Sequence, residues 1–152
     1  MRQPDTTYRL QLSPNFTFND LEKILDYLED LGVSTIYSAP LFQAREGSTH
    51  GYDVLDPFTI NKEIGNLQQF REISERLQLK EMSWLQDIVP NHMAFDSANP
   101  WFKDIFELGP DSKYYNYFDI NWDYKGYQTV MAPFLGSSLE EVLEKGELEL
   151  KL

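Results

Sequence analysis

The sequence predicts an α/β fold with parallel strands, and three observations carry that reading. Apolar residues recur at helical spacing in two stretches, around Leu21–Leu31 and Leu67–Leu77, and each lies between extended-type stretches. The joints between helix and strand are short, which suits right-handed crossovers between parallel strands. The third extended stretch is largely apolar and stops abruptly in Asp87-Ile88-Val89-Pro90-Asn91-His92, as a strand covered on both faces does where a site is built at the carboxyl edge of a sheet.

Composition narrows the classes of function. At 152 residues and 41% hydrophobic content the chain is long enough for one domain with a real core. Its 13 Lys and Arg face 25 Asp and Glu, a formal charge of -12, so nucleic acid and anionic membrane are not expected partners. Cysteine is absent, which excludes a disulfide framework, a thiolate nucleophile and a Cys-based zinc site. The opening Met1-Arg2-Gln3-Pro4-Asp5 leads into no secretion-type apolar core, and no stretch is long enough to cross a bilayer, so a cytoplasmic protein is expected. Nine Tyr, ten Phe and three Trp can pack a core or offer flat faces to a sugar.

Thr6–Leu12 is the first strand, with β-branched and aromatic residues in rough alternation, and Ser13-Pro14-Asn15 ends it. A helix follows on Leu21, Ile24, Leu25, Leu28 and Leu31, with Thr17 and Asp20 placed as a capping box and Gly32 where a C-terminal cap belongs. Val33–Leu41 is the second strand. From Phe42 to Gly65 the periodicity fails, and Gly47, Gly51, Pro57 and Gly65 punctuate what reads as a long functional loop. Asn66 caps a second helix with the stripe Leu67, Phe70, Ile73 and Leu77, and Met82–Val89 is the third strand, stopped by Pro90. The joint before it, Gln78-Leu79-Lys80-Glu81-Met82-Ser83, contains no Gly to adopt a left-handed cap, so it is expected to be strained or longer than usual. Residues 1–92 thus read as the opening βαβαβ of an α/β barrel or a doubly wound sheet.

After His92 the alternation breaks. Asn99 and Pro100 begin a helix through about Leu108, closed by Gly109-Pro110, and an aromatic tract follows with Tyr114, Tyr115, Tyr117, Phe118, Trp122, Tyr124 and Tyr127. Gln128–Met131 reads as a short strand, Ser137 or Ser138 caps a last helix ending at Gly146, and Glu147–Leu152 alternates like a strand. Residues 93–152 are therefore expected to begin an inserted subdomain.

Two motifs lie at strand ends: Ser48-Thr49-His50-Gly51-Tyr52-Asp53-Val54-Leu55-Asp56 after the second strand, and Asp87-Ile88-Val89-Pro90-Asn91-His92 after the third. Taken alone, the second is equally open to a plain reading in which Asp87 caps a turn and His92 packs in a loop. In this order the pair resembles the alpha-amylase family of glycoside hydrolases. Tyr8-Arg9-Leu10-Gln11-Leu12, Ala39-Pro40-Leu41-Phe42, Asn91-His92-Met93-Ala94, and Leu108-Gly109-Pro110 with Asp119-Ile120-Asn121-Trp122 extend the resemblance, over essentially the whole chain, to a glucan-mutase branch of that family.

The resemblance implies a (β/α)8 TIM barrel of which this chain holds the first three strands and part of the inserted domain B. It implies that Tyr52 is a stacking platform for the sugar in the cleaved subsite, that His92 donates a hydrogen bond to the same sugar, and that Asp87 is an architectural carboxylate. His50 and Asp53, in the same loop, join them as candidate substrate contacts, as does Asn91, which matches a position that helps hold calcium in calcium-binding members. For the mutase branch no metal or cofactor is expected. A Tyr offers an apolar face with a polar rim, and a buried imidazole is held in one tautomer by its neighbours. The family chemistry is retaining, with a nucleophile and an acid about 5 Å apart, and the resemblance assigns them to strands four and five. No residue here matches them, so no catalytic residue is assigned, and whether the chain is itself an enzyme is left open. Asp53, Asp56, Asp96, Asp119 and Asp123 read equally well as loop caps or solvated charges.

The function implied is the amino-terminal portion of an enzyme converting the reducing-end α-1,4 linkage of a maltooligosaccharide to an α,α-1,1 linkage, with the portion by itself inactive. A non-catalytic glucan-binding protein derived from such a barrel is the alternative, and a hydrolytic relative a third. The expected partners are a maltooligosaccharide or other α-glucan, and either the rest of a barrel or a second copy at the unpaired sheet edges.

Overall fold

The computed structural model describes residues 3–122 and 135–149, and the chain divides into two compact units, Met1–Lys103 and Asp104–Leu152.

The first unit is built on three parallel strands, β1 (Thr7–Leu10), β2 (Thr35–Ser38) and a strand at Ser83–Gln86, in that spatial order. A helix precedes each later strand: α1 (Phe18–Asp30) before β2 and α2 (Leu67–Leu79) before Ser83–Gln86. Between β2 and α2 lies an antiparallel pair, β3 (Phe42–Ala44) and β4 (Val54–Ile60), so the strand at Ser83–Gln86 is β5. This pair corrects the expectation of a structureless loop over residues 42–65. Val54, Leu55, Phe58, Thr59 and Ile60 favour extended backbone, but Pro57 interrupts their signal. A proline is tolerated because the ribbon has only two strands and its register slips on both sides of Gln43.

Each parallel strand is shorter than expected, four residues in each case; at β1 and β2 the flanks leave the ladder while staying packed, whereas beyond β5 Ile88 is exposed. Leu12 is still buried beyond β1, and Leu41 beyond β2. The expected strand Met82–Val89 ends at Gln86, four residues before Pro90, so the proline does not terminate it. Register places Ile36 beside Tyr8 and Trp84, and Tyr37 beside Arg9 and Leu85. Ile36 and Trp84 join the core formed with Phe18, Leu21, Leu25, Leu28, Ile73 and Leu77 of the two helices. By alternation, Arg9 and Tyr37 point to the other face of the sheet.

Both helix starts follow the caps read from sequence. Asp20 Oδ2 accepts from the Thr17 backbone N–H at 3.0 Å and from its hydroxyl at 2.9 Å, and Oδ1 accepts from Lys23 at 2.9 Å; the Lys23 bond first, and then those from Thr17, hold the Asp20 carboxyl well below the usual carboxylate range. Asn66 accepts from Gln69 N at 3.0 Å at the start of α2. The stripes are narrower than expected: Leu31 and Leu67 are about half exposed, since each sits at a helix end past the sheet it would cover. Phe70 fills the space between α1 and β5, stacked on Phe18 at 5.9 Å and edge-on to Trp84 at 5.2 Å. Gly65 is required there, because a Cβ on it would sit 2.3 Å from the Phe18 ring.

Both helices end in the same hydrogen-bond pattern. Gly32 N reaches Glu29 O and Val33 N reaches Leu28 O; Glu81 N reaches Gln78 O and Met82 N reaches Leu77 O. That pattern demands a left-handed residue, supplied by Gly32 at φ 82 and by Glu81 at φ 58. The glycine-free joint is thus strained rather than lengthened. Beside it, Lys80 bridges Asp26 at 2.7 Å and Glu29 at 2.5 Å of α1.

Helix α3 (Pro100–Leu108) starts where expected, with Asn99 Oδ1 accepting from Trp101 N at 3.0 Å, and Gly109 follows it at φ 56. In the second unit, Ser112 donates to Asp104, Tyr115 stacks on Trp122 at 5.3 Å, and Lys113 lies 4.8 Å from the Tyr114 ring. Ser138 caps α4 (Leu139–Glu144), and Gly146 follows it. Glu147–Glu149 form no strand, contrary to the expected Glu147–Leu152 element, whose remaining residues lie outside the described ones. Tyr124, Tyr127, Asp123 and the expected strand Gln128–Met131 also lie outside them. Among the described residues no helix is long and apolar enough to cross a membrane.

Candidate active site at the carboxyl ends of the parallel strands

Asp87 is the first residue past β5, and its backbone N–H still bonds to Ser38 O of β2 at 2.9 Å. Its carboxylate stands at the carboxyl edge of the sheet, with 18% of the side chain exposed. Two phenols converge on one oxygen: Tyr52 donates to Asp87 Oδ2 at 2.6 Å and Tyr37 at 3.3 Å. Arg9 Nη2 approaches the same oxygen at 3.8 Å and donates to the Tyr52 oxygen at 3.2 Å. Hydrogen bonding to Asp87 first, and then burial, raises the Tyr52 phenol above the ordinary tyrosine value, so at neutral pH it keeps its proton and donates it.

The loop that carries Tyr52 is cross-linked within itself. Ser48 Oγ donates to Asp53 Oδ1 at 2.5 Å and accepts from Gly51 N at 3.1 Å. His50 Nδ1 accepts from Tyr52 N at 3.0 Å, which in a neutral ring puts the proton on Nε2. The His50 ring stacks on Tyr52 with centroids 5.8 Å apart, and no other ring among the described residues stacks there. Tyr52 is half-buried, so part of its surface is open to a ligand. Asp53 also lies 3.8 Å from His50 Nδ1.

Tyr52, Asp87, His50 and Asp53 are therefore brought together. Asn91 and His92 are not joined to them: both are exposed, in the turn that follows β5, and neither has a hydrogen bond or ring contact among the described residues. His92 is not the buried imidazole expected from sequence, because β5 ends early and Asp87–Met93 runs on as open loop. Asp56 and Asp96 act as loop caps, Asp56 accepting from Phe58 N at 2.9 Å and Asp96 from Ala98 N at 2.9 Å. Among the described residues no group of three or more His, Asp or Glu is placed to hold a metal ion.

Sequence reasoning missed Arg9, Gln11 and Tyr37 as members of this cluster. Arg9 and Gln11 are two apart and share a strand face, and a charged side chain inside a strand of a parallel sheet was the available signal.

The family description "Alpha amylase, catalytic domain" matches residues 17–141. The chain belongs to the alpha-amylase family. Within that family it is similar to a maltooligosyl trehalose synthase of Mycobacterium tuberculosis H37Rv, 38% identical over 160 residues that cover 95% of this chain and 21% of that protein. A crystal structure of a maltooligosyl trehalose synthase superposes with a TM-score of 0.85 at 42% identity, covering 97% of this chain and 20% of that one. The Sulfolobus tokodaii structure titled a hypothetical maltooligosyl trehalose synthase gives 0.78 at 40% identity, covering 90% of this chain and 18% of that one. The chain thus spans about a fifth of the length of these alpha-amylase family relatives.

Proposed function

We propose that this chain is the amino-terminal portion of a maltooligosyl trehalose synthase, a (1→4)-α-D-glucan 1-α-D-glucosylmutase of trehalose biosynthesis. In this reading β1, β2 and β5 are the first three strands of a (β/α)8 barrel, residues 1–92 being its βαβαβ part and residues 93–152 the beginning of domain B. The reaction breaks the bond from C1 of one glucosyl unit to O4 of the reducing-end glucose and remakes it to that glucose's anomeric oxygen, so no water is consumed. Tyr52, His50, Asp53, Asp87, Asn91 and His92 form the substrate-holding part, with Tyr52 as the stacking platform. The two carboxylates of the chemistry are assigned to none of these 152 residues. A cytoplasmic location belongs to the same reading, and the cysteine-free composition is compatible with it.

The observation that carries the proposal is the 2.6 Å bond from Tyr52 to Asp87 at the sheet's carboxyl edge, which holds a half-exposed ring where parallel α/β sheets place their ligands. The test is incubation with maltopentaose, following reducing ends and products. The chain by itself is expected to leave reducing ends constant, whereas a protein of the relatives' length that carries it should consume them and release a trehalose-capped product. Conversion by the pure chain would overturn the division of labour. Binding without conversion in the long protein would favour a glucan-binding role.

A further inference from the structure

The first strand contributes more to this cluster than its backbone. Arg9 Nη2 donates to Tyr52 Oη at 3.2 Å and to Gln11 Oε1 at 3.3 Å, and its guanidinium carbon lies 5.1 Å from the centroid of the Tyr37 ring. Gln11 in turn donates to the carbonyls of Thr49 at 3.1 Å and His50 at 3.4 Å. The single phenolic proton of Tyr52 is committed to Asp87, so its oxygen can only accept from Arg9, and the two contacts fix the oxygen from opposite sides of the exchange. The guanidinium is suited to this because it is planar, always charged, and able to stack on one ring while donating to a neighbour.

We propose that Arg9 is a positioning residue that sets the angle at which Tyr52 presents its ring, acting on the phenol directly and on the Thr49–His50 backbone through Gln11. The proposal rests on the reading of Tyr52 as a sugar platform. Arg9 itself touches no sugar in this account. Its side chain is 39% exposed, so replacing it removes a contact without opening the core.

Two measurements on the protein carrying this chain test it. In the first, the ionisation of Tyr52 is followed by tyrosinate absorbance, with Tyr52→Phe subtracted. Groups facing that phenol are Asp87, Tyr37 and Arg9, with His50 stacked on the ring. Arg9→Met should move the ionisation upward, because the cation beside the oxygen is lost, and Arg9→Lys should largely restore it. In the second, maltopentaose affinity is compared in two backgrounds. Arg9→Met and Arg9→Lys should each weaken binding about fivefold, the equivalent of roughly 1 kcal/mol, and should weaken it less in the Tyr52→Phe background, where only the arm through Gln11 remains. Equal losses in both backgrounds, or an unmoved ionisation in Arg9→Met, would overturn the proposal. If the parent protein binds no maltopentaose, the glucan reading falls, and the ionisation still decides whether Arg9 holds Tyr52.

Discussion

The two loops that carry the sugar-facing candidates are held in opposite ways. Around Tyr52 nearly every turn of the chain is fixed: Gly47 N on Glu63 at 2.9 Å, Thr49 O on Gln11, Gly51 N on Ser48, Tyr52 N on His50 and the phenol on Asp87. Around His92 only the ends are fixed. Asp87 closes one end, and Ala94 N on Val54 O at 2.8 Å closes the other, with Arg45 reaching Asp96 at 2.8 Å and Phe95 O at 3.1 Å. Residues 88–93 between them have no hydrogen bond among the described residues. In the proposed reading, the ring that a sugar would lie against is thus ordered in advance, whereas a ligand engaging His92 would also have to supply the free energy of ordering its loop.

The sharpest way to break this contrast is Asp87→Ala, since Asp87 closes one end of the loose loop and anchors the tied one. It leaves two phenols without their acceptor and Arg9 without its counter-charge, and should lower stability by about 2–3 kcal/mol, the scale of hydrogen bonds to a charged group. Denaturant unfolding measures it, and a loss below about 0.5 kcal/mol, the range of ordinary surface changes, would mean that the carboxylate organises nothing. A smaller effect of opposite sign is expected one joint upstream of Asp87. Glu81→Gly relieves a left-handed residue at φ 58 and should raise stability by about 1 kcal/mol, while leaving the affinity of the Tyr52 loop for maltopentaose unchanged.

That joint also marks what sequence can and cannot disclose. The need for a left-handed residue after α2 was legible as a missing glycine, because Schellman-type helix ends impose the same backbone at Gly32 and at Glu81. Helix caps at Thr17, Asn66, Asn99 and Ser138 were legible for the same local reason. The β3–β4 ribbon was not, since its pairing joins residues far apart and its pattern is broken by Pro57 and a slipped register. Nor was the approach of Arg9 to Tyr52, across 43 positions of sequence, which depends on the parallel register of β1 and β2. Motif spacing put Tyr52 and Asp87 at strand ends; only the fold put Arg9 and Tyr37 beside them.

The far anchor of the loose loop offers a finer test. Arg45→Met should cost less than about 1 kcal/mol globally, as exposed ion pairs do, yet speed amide exchange at Ala94 and in residues 95–99 without changing it at Gly51 and Tyr52. The Ala98 N–H holds the Asp96 carboxyl below its ordinary 3.8 against the opposing effect of burial, with Arg45 adding to the lowering. Its contribution is therefore present above pH 3.8 and lost as pH falls through the lower folded value. Acidification in that range should loosen residues 94–99 in the parent and do less in Arg45→Met. Equal acid loosening in both would remove the ion pair from the account.

The smallest effect on stability is expected for His92→Ala, and it is the one that separates holding from function most cleanly. The ring is exposed and has no partner among the described residues, so the substitution should stay within about 0.5 kcal/mol. Exchange in the Tyr52 loop should not change either. Under the proposed function, however, a hydrogen bond from His92 that forms as charge develops on the sugar ring would stabilise the transition state more than the ground state. Turnover should then fall while the Michaelis constant changes little, and Tyr52→Ala should do the reverse in part, losing stacking worth about 0.5–1.5 kcal/mol. If His92→Ala leaves turnover unchanged, the loose loop is only a connection, and the functional side of the comparison rests on Tyr52 and Asp87 alone.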